Sequence, residues 1–136
     1  MKKVKVRFEK WTYPDIKEGI PNKYQWMVQN IEGFELGANT DIGAFTYINA
    51  KFGVIIERDV QIGSHCSVYS ISTIDNKQGK VTLRENVKIG SHTTILPGVT
   101  VGKNSIIGAH SLVTKNIPDN TLAYGTPAKV IRTFNE

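Results

Sequence analysis

The sequence predicts an all-β fold in which short parallel strands stack into a coil. The main observation is a repeat: from residue 83 an aliphatic residue occupies every sixth position, at Leu83, Ile89, Ile95, Val101, Ile107 and Val113. The residue four positions after each of the first five is small or β-branched, namely Val87, Thr93, Val99, Ser105 and Ser111. A six-residue period matches neither an amphipathic helix nor an alternating strand, but it is typical of strands joined by tight turns.

The same spacing runs through an earlier part of the chain. It is held by Leu36, Ile42, Ile48 and Val54 and, after two extra residues, by Ile56, Ile62 and Val68. It breaks at residues 70–80 and resumes at Leu83. Glycines mark the turns of the later stretch at Gly90, Gly98, Gly102 and Gly108, and we expect them where the backbone conformation is one that other residues resist.

These hexapeptides resemble the left-handed β-helix acyltransferases over roughly residues 34–132. In that family three hexapeptides form one triangular coil of about eighteen residues. The resemblance therefore implies a left-handed parallel β-helix of hexapeptide repeats with a short N-terminal capping segment. Ile62 and Ile89 are 27 positions apart, which is one coil plus nine residues, so we expect one loop to protrude at 70–80. In the family this loop reaches towards a neighbouring subunit and helps to wall the active site.

Three regions are predicted: a capping strand and irregular segment at 1–33, the β-helix with its loop at 34–117, and a C-terminal tail at 118–136. Residues 2–8 alternate apolar and basic side chains, which predicts a strand that covers the open first coil. The segment 9–33 lacks a period, and we expect its aromatic residues to anchor it: Trp11, Tyr13, Tyr24 and Trp26. Stacking of these rings on a sugar or a nucleotide base is the alternative.

Composition limits the environment and the partners. No apolar run is long enough for a membrane span and no signal-peptide core is present, so we expect a cytoplasmic protein without membrane insertion. The net charge of +5 comes from dispersed residues, which indicates a solvated surface or attraction of phosphates and disfavours nucleic acid. The single cysteine, Cys66, occupies a small-residue position of the repeat, which predicts a buried structural thiol.

The three histidines share one sequence context, because His65 and His92 end the sequence IGSH and His110 ends IGAH. Their spacings of 27 and 18 residues place all three on one edge of the coil, about 4.8 Å apart, as a ladder. His110 is interpreted as structural. We expect His65, on the coil beneath the loop, and His92, on the next coil, to be candidates for a general base, since a neutral imidazole accepts a proton at physiological pH.

Zinc hydration chemistry is a less favoured alternative. Some proteins of this fold resemble γ-class carbonic anhydrases, which hold zinc with three histidines that converge from two subunits and include a closely spaced pair. This sequence has no such pair, and three histidines on one edge lie in a line that does not surround a tetrahedral ion. We therefore expect no metal.

Residues 89–132 are most similar to the galactoside and maltose O-acetyltransferase branch of the family, in which acetyl-CoA lies between the coils of adjacent subunits of a trimer. The resemblance implies six cofactor-contacting positions: Ser91 and Ala109 along the pantetheine arm, Thr114 and Lys115 further along, and Lys129 and Arg132 near the phosphates. Basic side chains suit those phosphates, although simple solvation of the last two residues is an alternative.

The loop departs from the family. By the resemblance, the catalytic histidine of the family is replaced here by Thr73, which cannot act as a base at neutral pH. His65, His92 and Asp75 are the candidate catalytic residues, in that order. Asn49 corresponds approximately to an asparagine that contacts the acceptor sugar, and a bond to its own turn is the alternative. We place Asn49 and Thr73 on the substrate side.

These observations predict an acetyl-CoA-dependent acetyltransferase that acts on a sugar. Because an amine needs less help from a base than a hydroxyl, the favoured acceptor is the amine of a nucleotide-linked amino sugar in surface-glycan synthesis. O-acetylation of a sugar and a non-catalytic binding or assembly module are the alternatives. We expect a homotrimer with sites between subunits, since threefold packing closes a groove that lacks one wall.

Overall fold

A computed structural model describes residues 8–135, in which seventeen strands and one short 3-10 helix, Ile31–Gly33, follow one another. The strands are β1 (Met27–Gln29), β2 (Phe34–Leu36), β3 (Asp41–Ile42), β4 (Tyr47–Asn49), β5 (Val54–Ile56), β6 (Gln61–Ile62), β7 (Ser67–Tyr69), β8 (Ile71–Ser72), β9 (Lys77–Gln78), β10 (Val81–Leu83), β11 (Lys88–Ile89), β12 (Thr94–Ile95), β13 (Thr100–Val101), β14 (Ile106–Ile107), β15 (Leu112–Val113), β16 (Thr121–Gly125) and β17 (Ala128–Thr133). The strand predicted at residues 2–8 lies outside the described residues, apart from Phe8.

Successive strands build three faces in turn. Face 1 contains β1, β4, β7, β12 and β15, face 2 contains β2, β5, β10 and β13, and face 3 contains β3, β6, β11, β14 and β16. Neighbouring strands in each face run parallel, and β17 joins face 3 antiparallel to β16. The result is a three-sided parallel β-helix, and the predicted fold class is confirmed.

The aliphatic residues that recur every six positions form the core. On face 1, Val28, Ile48, Val68, Ile95 and Val113 stack in register and are almost completely buried. All five are β-branched, which suits a pleated strand. Burial of each such side chain stabilises the fold by about 1.5–3 kcal/mol relative to exposure. The six-residue repeat in the sequence thus marks the side chains that point into the core.

From Leu36 onwards, two coils are longer than eighteen residues. The extra residues lie where the sequence predicted them in one coil and elsewhere in the other. Ile62 pairs with Ile89, so the extra residues of this coil lie outside the stack, as the hairpin formed by β8 and β9. Leu36 pairs with Ile56, and both Val54 and Ile56 point into the core. The two extra residues of that coil therefore lie in the turn 50–53, before Val54 and not after it.

Both ends of the β-helix are covered by neighbouring chain. The parallel stack begins at β1, ahead of residue 34, and the Gly19 N–H donates to the carbonyl of Val28 on its free edge, at 2.9 Å. At the other end the chain reverses after β16, and β17 pairs with it. Such coverage protects strand edges from pairing with other chains. Residues 8–135 contain no helix long and apolar enough to cross a lipid bilayer.

The three edges of the prism carry different turns. The histidine edge, between faces 3 and 1, carries His65, His92 and His110 in the left-handed region, with φ of 57–58°. The asparagine edge, between faces 2 and 3, carries Asn86, Asn104 and Asn120, and the Asn104 side chain hydrogen-bonds to both others. Histidine and asparagine are among the residues that enter this region most readily. The loop edge, between faces 1 and 2, carries the β8–β9 hairpin.

The turn glycines correct one expectation. Gly98 has a φ of 84°, but Gly90, Gly102 and Gly108 do not adopt positive φ. A Cβ at Gly90 would lie 2.5 Å from the backbone nitrogen of Ala109 on the next coil. These three glycines are therefore required because adjacent coils approach closely, while the unusual backbone belongs to histidine and asparagine.

Candidate active site

The histidine ladder predicted from the spacing is confirmed. The ring centroids of His65 and His92 are 4.7 Å apart and those of His92 and His110 are also 4.7 Å apart, with interplanar angles of 4° and 10°. Phe45 continues the column below His65 at 5.1 Å. All four side chains are exposed. The His92 N–H donates to the carbonyl of Ser64, and the equivalent bond ties His110 to Ser91, so the backbone fixes the spacing.

Stacked imidazoles present their nitrogen atoms at the rim of the column, where a substrate can reach them. The Nδ1 atom of His65 lies 3.1 Å from the Ser64 hydroxyl, which leaves the other ring nitrogen for proton transfer. In the described part of the chain, no three His, Cys, Asp or Glu side chains are grouped so that they could hold a metal ion. The arrangement suits acid–base chemistry on an exposed edge.

A shallow groove of about 540 Å³ runs along face 3 beside the histidine edge. Its floor includes the glycine column formed by Gly43, Gly63, Gly90 and Gly108, and Ala109 lies at its rim. Ser91 and Ala109 occupy equivalent turns of adjacent coils. The groove has backbone groups within reach and lacks an outer wall.

The other predicted cofactor residues lie in two further places. Lys129 pairs with Tyr124 across β16 and β17, and Tyr124 borders Gly108, so Lys129 is close to the upper end of the groove. Arg132 is further along β17, with its guanidinium 5.3 Å from the ring of Phe134. The remaining two, Thr114 and Lys115, directly follow β15 and therefore lie at the loop edge.

The protruding loop is a short hairpin. Its base is closed by a hydrogen bond from the Gly79 N–H to the carbonyl of Ser70, at 2.9 Å, and its tip carries Ile74, which is 96% exposed. Thr73 is exposed beside it. The hydroxyl of Ser72, followed by Lys77, holds the pKa of Asp75 below its usual value. Asp75 is thus a weak base and a good partner for a cation.

Asn49 belongs to a polar network that sequence reasoning missed. Its Nδ2 donates to the Tyr47 hydroxyl at 3.3 Å, its Oδ1 accepts from Asn30 Nδ2 at 2.9 Å, and the Tyr47 hydroxyl donates to Gln29. Asn49 also accepts from the Lys51 N–H, at 3.2 Å, so the predicted bond to its own turn is present as well. Both roles coexist.

A signal for this network was available. Tyr47 and Asn49 are two residues apart on one strand, so their side chains share the outer surface of face 1. Tyr69, which pairs with Asn49 in register, brings its ring to 5.7 Å from that of Tyr47. The loop begins directly after Tyr69. An aromatic and amide surface therefore lies next to the hairpin.

The structure corrects the expectation that His65 lies beneath the loop. His65 precedes β7 at the histidine edge, whereas the hairpin follows β7 at the loop edge. At about 3.3 Å per residue, the five residues from His65 to Ser70 separate the two places by roughly 16 Å. Histidines occupy the turn before each face 1 strand and the insertion occupies the turn after it, so one protomer does not bring them together.

Comparison with known proteins identifies the repeat. Residues 80–115 match the family model of the bacterial transferase hexapeptide, described as six repeats. A galactoside O-acetyltransferase of Lactococcus lactis subsp. lactis (strain IL1403) is 40% identical over 115 residues, which are 74% of this chain and 56% of the relative. The chain thus spans little more than half the length of this curated relative.

Two solved structures are similar in fold and sequence. A hexapeptide-repeat acetyltransferase of Vibrio cholerae O1 biovar eltor, in complex with acetyl-CoA, is 25% identical with a TM-score of 0.77 over 82% of this chain and 66% of that one. A galactoside acetyltransferase in complex with coenzyme A is 33% identical with a TM-score of 0.75 over 81% of this chain and 60% of that one. The repeat, the three-sided parallel β-helix and these similarities show that residues 80–115 are hexapeptide repeats of the bacterial transferase type and that the chain shares the fold of the two acetyltransferase structures.

Proposed function

We propose that this chain is an acetyltransferase that transfers an acetyl group from acetyl-CoA to a sugar. The observation that carries the proposal is its 40% identity to a galactoside O-acetyltransferase. The acetyl-CoA and coenzyme A complexes of the two similar structures support the same acyl donor. The groove beside the histidine edge is suited to it, because a pantetheine arm needs a narrow slot with backbone partners for its two amides.

Four of the six predicted cofactor residues act along this groove. The turns of Ser91 and Ala109 offer backbone groups to the pantetheine arm, and Lys129 and Arg132 on β17 attract the phosphates at the far end. When bound, acetyl-CoA supplies the activated acetyl group. A backbone N–H near Ser91 stabilises the negative charge that develops on the thioester oxygen.

The distribution of candidate residues supports a homotrimer with sites between subunits. His65, His92, Ser91 and Ala109 lie at the histidine edge, and the loop edge carries Asn49, Thr73, Asp75, Thr114 and Lys115. A ring of three copies joins unlike surfaces, so the histidine edge of one copy meets the loop edge of the next. Each site then contains both groups, and the open groove gains its missing wall.

The favoured acceptor is the amine of a nucleotide-linked amino sugar. The network around Asn49 and the hydroxyl of Thr73 hold the sugar, and the carboxylate of Asp75 pairs with the ammonium form. An imidazole of the ladder, first His65 and then His92, accepts the proton. The neutral amine attacks the thioester carbonyl carbon, the carbon–sulfur bond breaks, and the sulfur leaves with the electron pair. The nitrogen gives up its second proton to become an amide, and the thiolate takes up one proton in balance.

O-acetylation of a sugar is the second candidate, because the 40% identical relative is a galactoside O-acetyltransferase. The absence of a histidine at Thr73 favours the amine. The two are separated by incubating the protein with acetyl-CoA and, in parallel, a nucleotide-linked amino sugar and a galactoside. An acetyl product that survives hydroxylamine is an amide, and one that is cleaved is an ester.

Thermal unfolding in the presence of coenzyme A tests the proposal as a whole. A ligand at a hundred times its dissociation constant stabilises the folded state by about 2.7 kcal/mol, which is a readily measured rise in Tm. We expect this rise for the natural chain and a smaller one for the variant Lys129→Ala/Arg132→Ala. Absence of any rise at saturating coenzyme A would favour a non-catalytic binding or assembly module.

A further inference from the structure

The irregular segment 12–24 encloses a cavity of about 440 Å³ that none of the groups above occupies. Two of its walls are tyrosine rings, Tyr13 and Tyr24, which stay 58% and 48% exposed, and Ile20 is 56% exposed beside them. Trp26, from the same region, is by contrast fully packed in the core. The tryptophan anchors the segment, and the two tyrosines leave their rings available to a ligand.

Asn22 supplies a polar group in the same cavity. Its Oδ1 accepts from the backbone N–H groups of Tyr24, at 3.0 Å, and Trp26, at 3.3 Å, and so holds the turn. Its Nδ2 is buried and has no hydrogen-bond partner among the described residues. A buried donor without a partner is costly, so a ligand atom that accepts this hydrogen bond would gain affinity.

Charges at the cavity are mixed, with one positive charge in excess. Lys23 holds its Nζ 5.0 Å from the centre of the Tyr24 ring, and the Lys17 Nζ is 4.0 Å from a carboxylate oxygen of Asp15. All three charged residues line the cavity. Exposed lysines of this kind are free to turn towards a phosphate group.

The position of the cavity connects it to the acceptor surface. The Gly19 N–H bonds to Val28, and the next residue, Gln29, accepts from Tyr47 in the network around Asn49. The cavity-forming segment therefore runs along the free edge of β1, the strand that contributes the first residue of that network. The far end of β1, at Gln29, joins this segment to the network around Asn49.

We propose that this cavity binds the nucleoside diphosphate portion of the nucleotide-linked acceptor sugar, through a pyrimidine base. The base stacks on Tyr24 or Tyr13, one of its carbonyl oxygens accepts from Asn22 Nδ2, and the diphosphate meets Lys17 and Lys23. The sugar then extends to the Asn49 network. This inference rests on the proposed function and names the part of the substrate that the histidine edge does not contact.

Uridine diphosphate is the probe, with binding followed by isothermal titration calorimetry in the absence of acetyl-CoA. We expect saturable binding that Tyr24→Ala weakens by about tenfold, because stacking of one base is lost. Tyr24→Phe keeps the ring and should bind like the natural chain. Asn22→Asp keeps the oxygen that holds the turn but lacks the free donor, and it should also weaken binding. Circular dichroism checks that each variant is folded.

Equal affinity for uridine diphosphate and inorganic pyrophosphate would overturn the base contact, as would unchanged binding in folded Tyr24→Ala and Asn22→Asp. Lack of saturable binding by the natural chain would overturn the whole inference. Failure of the proposed function is recognised separately, because it appears as the absence of stabilisation by coenzyme A whether or not uridine diphosphate binds.

Discussion

At the scale of single residues, the glycine column sets how closely the coils pack. A Cβ at Gly90 would lie 2.5 Å from the Ala109 nitrogen, and the obstacle is backbone that does not rotate away. We expect Gly90→Ala to lower the free energy of unfolding by about 2–3 kcal/mol, the upper range for overpacking. Chemical denaturation measures it.

Gly98→Asn is the matched control for Gly90→Ala. Gly98 has a φ of 84°, which asparagine tolerates, and nothing lies within 4 Å of its added Cβ. Gly98→Asn should therefore lower the free energy of unfolding by only about 1 kcal/mol, less than Gly90→Ala does. Equal destabilisation by the two variants would mean that backbone conformation, and not the contact between coils, governs the glycines.

The backbone of the ladder allows the histidines to be tested without disturbing the fold. His92 has a φ of 57°, and Asn104 adopts 64° at the asparagine edge of the same prism. His92→Asn and His65→Asn should therefore change stability by no more than about 0.5 kcal/mol. If one of them is the general base, its replacement lowers kcat by about 10²–10⁴-fold.

His110→Asn provides the comparison, since it also removes one ring of the stack and is expected to keep full turnover. Steady-state kinetics with acetyl-CoA and the acceptor distinguish the three variants. Near-normal turnover in both His65→Asn and His92→Asn would exclude the ladder as the base and indicate that the substrate manages its own proton.

Cys66 makes stability depend on pH in the alkaline range. Its thiol is buried under the ladder and donates to the carbonyl of Gly90, and burial raises its pKa above the ordinary value of 9.0. The unfolded chain therefore loses this proton at a lower pH than the folded chain does. The contribution of the protonated Cys66 thiol to the free energy of unfolding is complete below about pH 9. It is lost as the pH rises through the pKa of the thiol in the folded state.

Urea denaturation between pH 7 and 10.5 measures this effect against Cys66→Ala. The natural chain should lose stability more steeply than the variant above pH 9, and the two slopes should agree below it. Parallel slopes over the whole range would show that the thiol is not protected by burial.

At the scale of elements, the β8–β9 hairpin is an addition that the coil does not need. Its base is closed by the bond between Gly79 and Ser70, and the nine extra residues leave Ile62 and Ile89 in register. We expect deletion of residues 71–79, combined with Lys80→Gly to copy the turn at Gly98, to leave a folded β-helix that binds coenzyme A.

That deletion should abolish transfer to the acceptor, because it removes Thr73 and Asp75. Circular dichroism follows the fold, the Tm shift follows coenzyme A binding, and product formation follows transfer. A folded deletion variant with normal transfer would exclude the hairpin from the acceptor site.

The strands and the core followed from the sequence because one rule, an inward aliphatic residue at every sixth position, applies from Leu36 to Val113. The role of each turn glycine could not be predicted from the sequence, because glycine is required at these positions for two different physical reasons. Gly98 satisfies an unusual backbone, whereas Gly90 satisfies a close approach between coils, and only the structure separates them. The spacing predicted the two extra residues after Val54, whereas they lie at 50–53. Val54 and Ile56 both point into the core, so the spacing alone does not tell which of them continues the repeat.

At the scale of the whole molecule, the sequence identified the ladder and the loop but related them wrongly. His65 lies three residues before the inward Val68, and the insertion begins two residues after it, so they belong to opposite ends of one strand. This distinction was present in the spacing. The network of Gln29, Tyr47 and Asn49 was harder to see, because its members come from two coils whose register depends on the irregular turn at 30–33, which lies between β1 and β4.

The separation of the two edges leads to a test of the assembly. If each site takes its histidines from one subunit and its hairpin from the next, a subunit with His65→Asn/His92→Asn and a subunit without residues 71–79 damage different halves of the site. Random co-assembly in a trimer then leaves about one quarter of the sites with both halves intact.

Co-expression of the two inactive variants should therefore restore about a quarter of the natural turnover per site, while a mixture of separately purified, non-exchanging trimers stays inactive. Light scattering at micromolar concentration must show three subunits in the active species. An inactive co-expressed trimer that contains both chains would place the complete site within one protomer. A monomeric protein would remove the basis for a shared site, because no second chain would then bridge the roughly 16 Å between His65 and the hairpin.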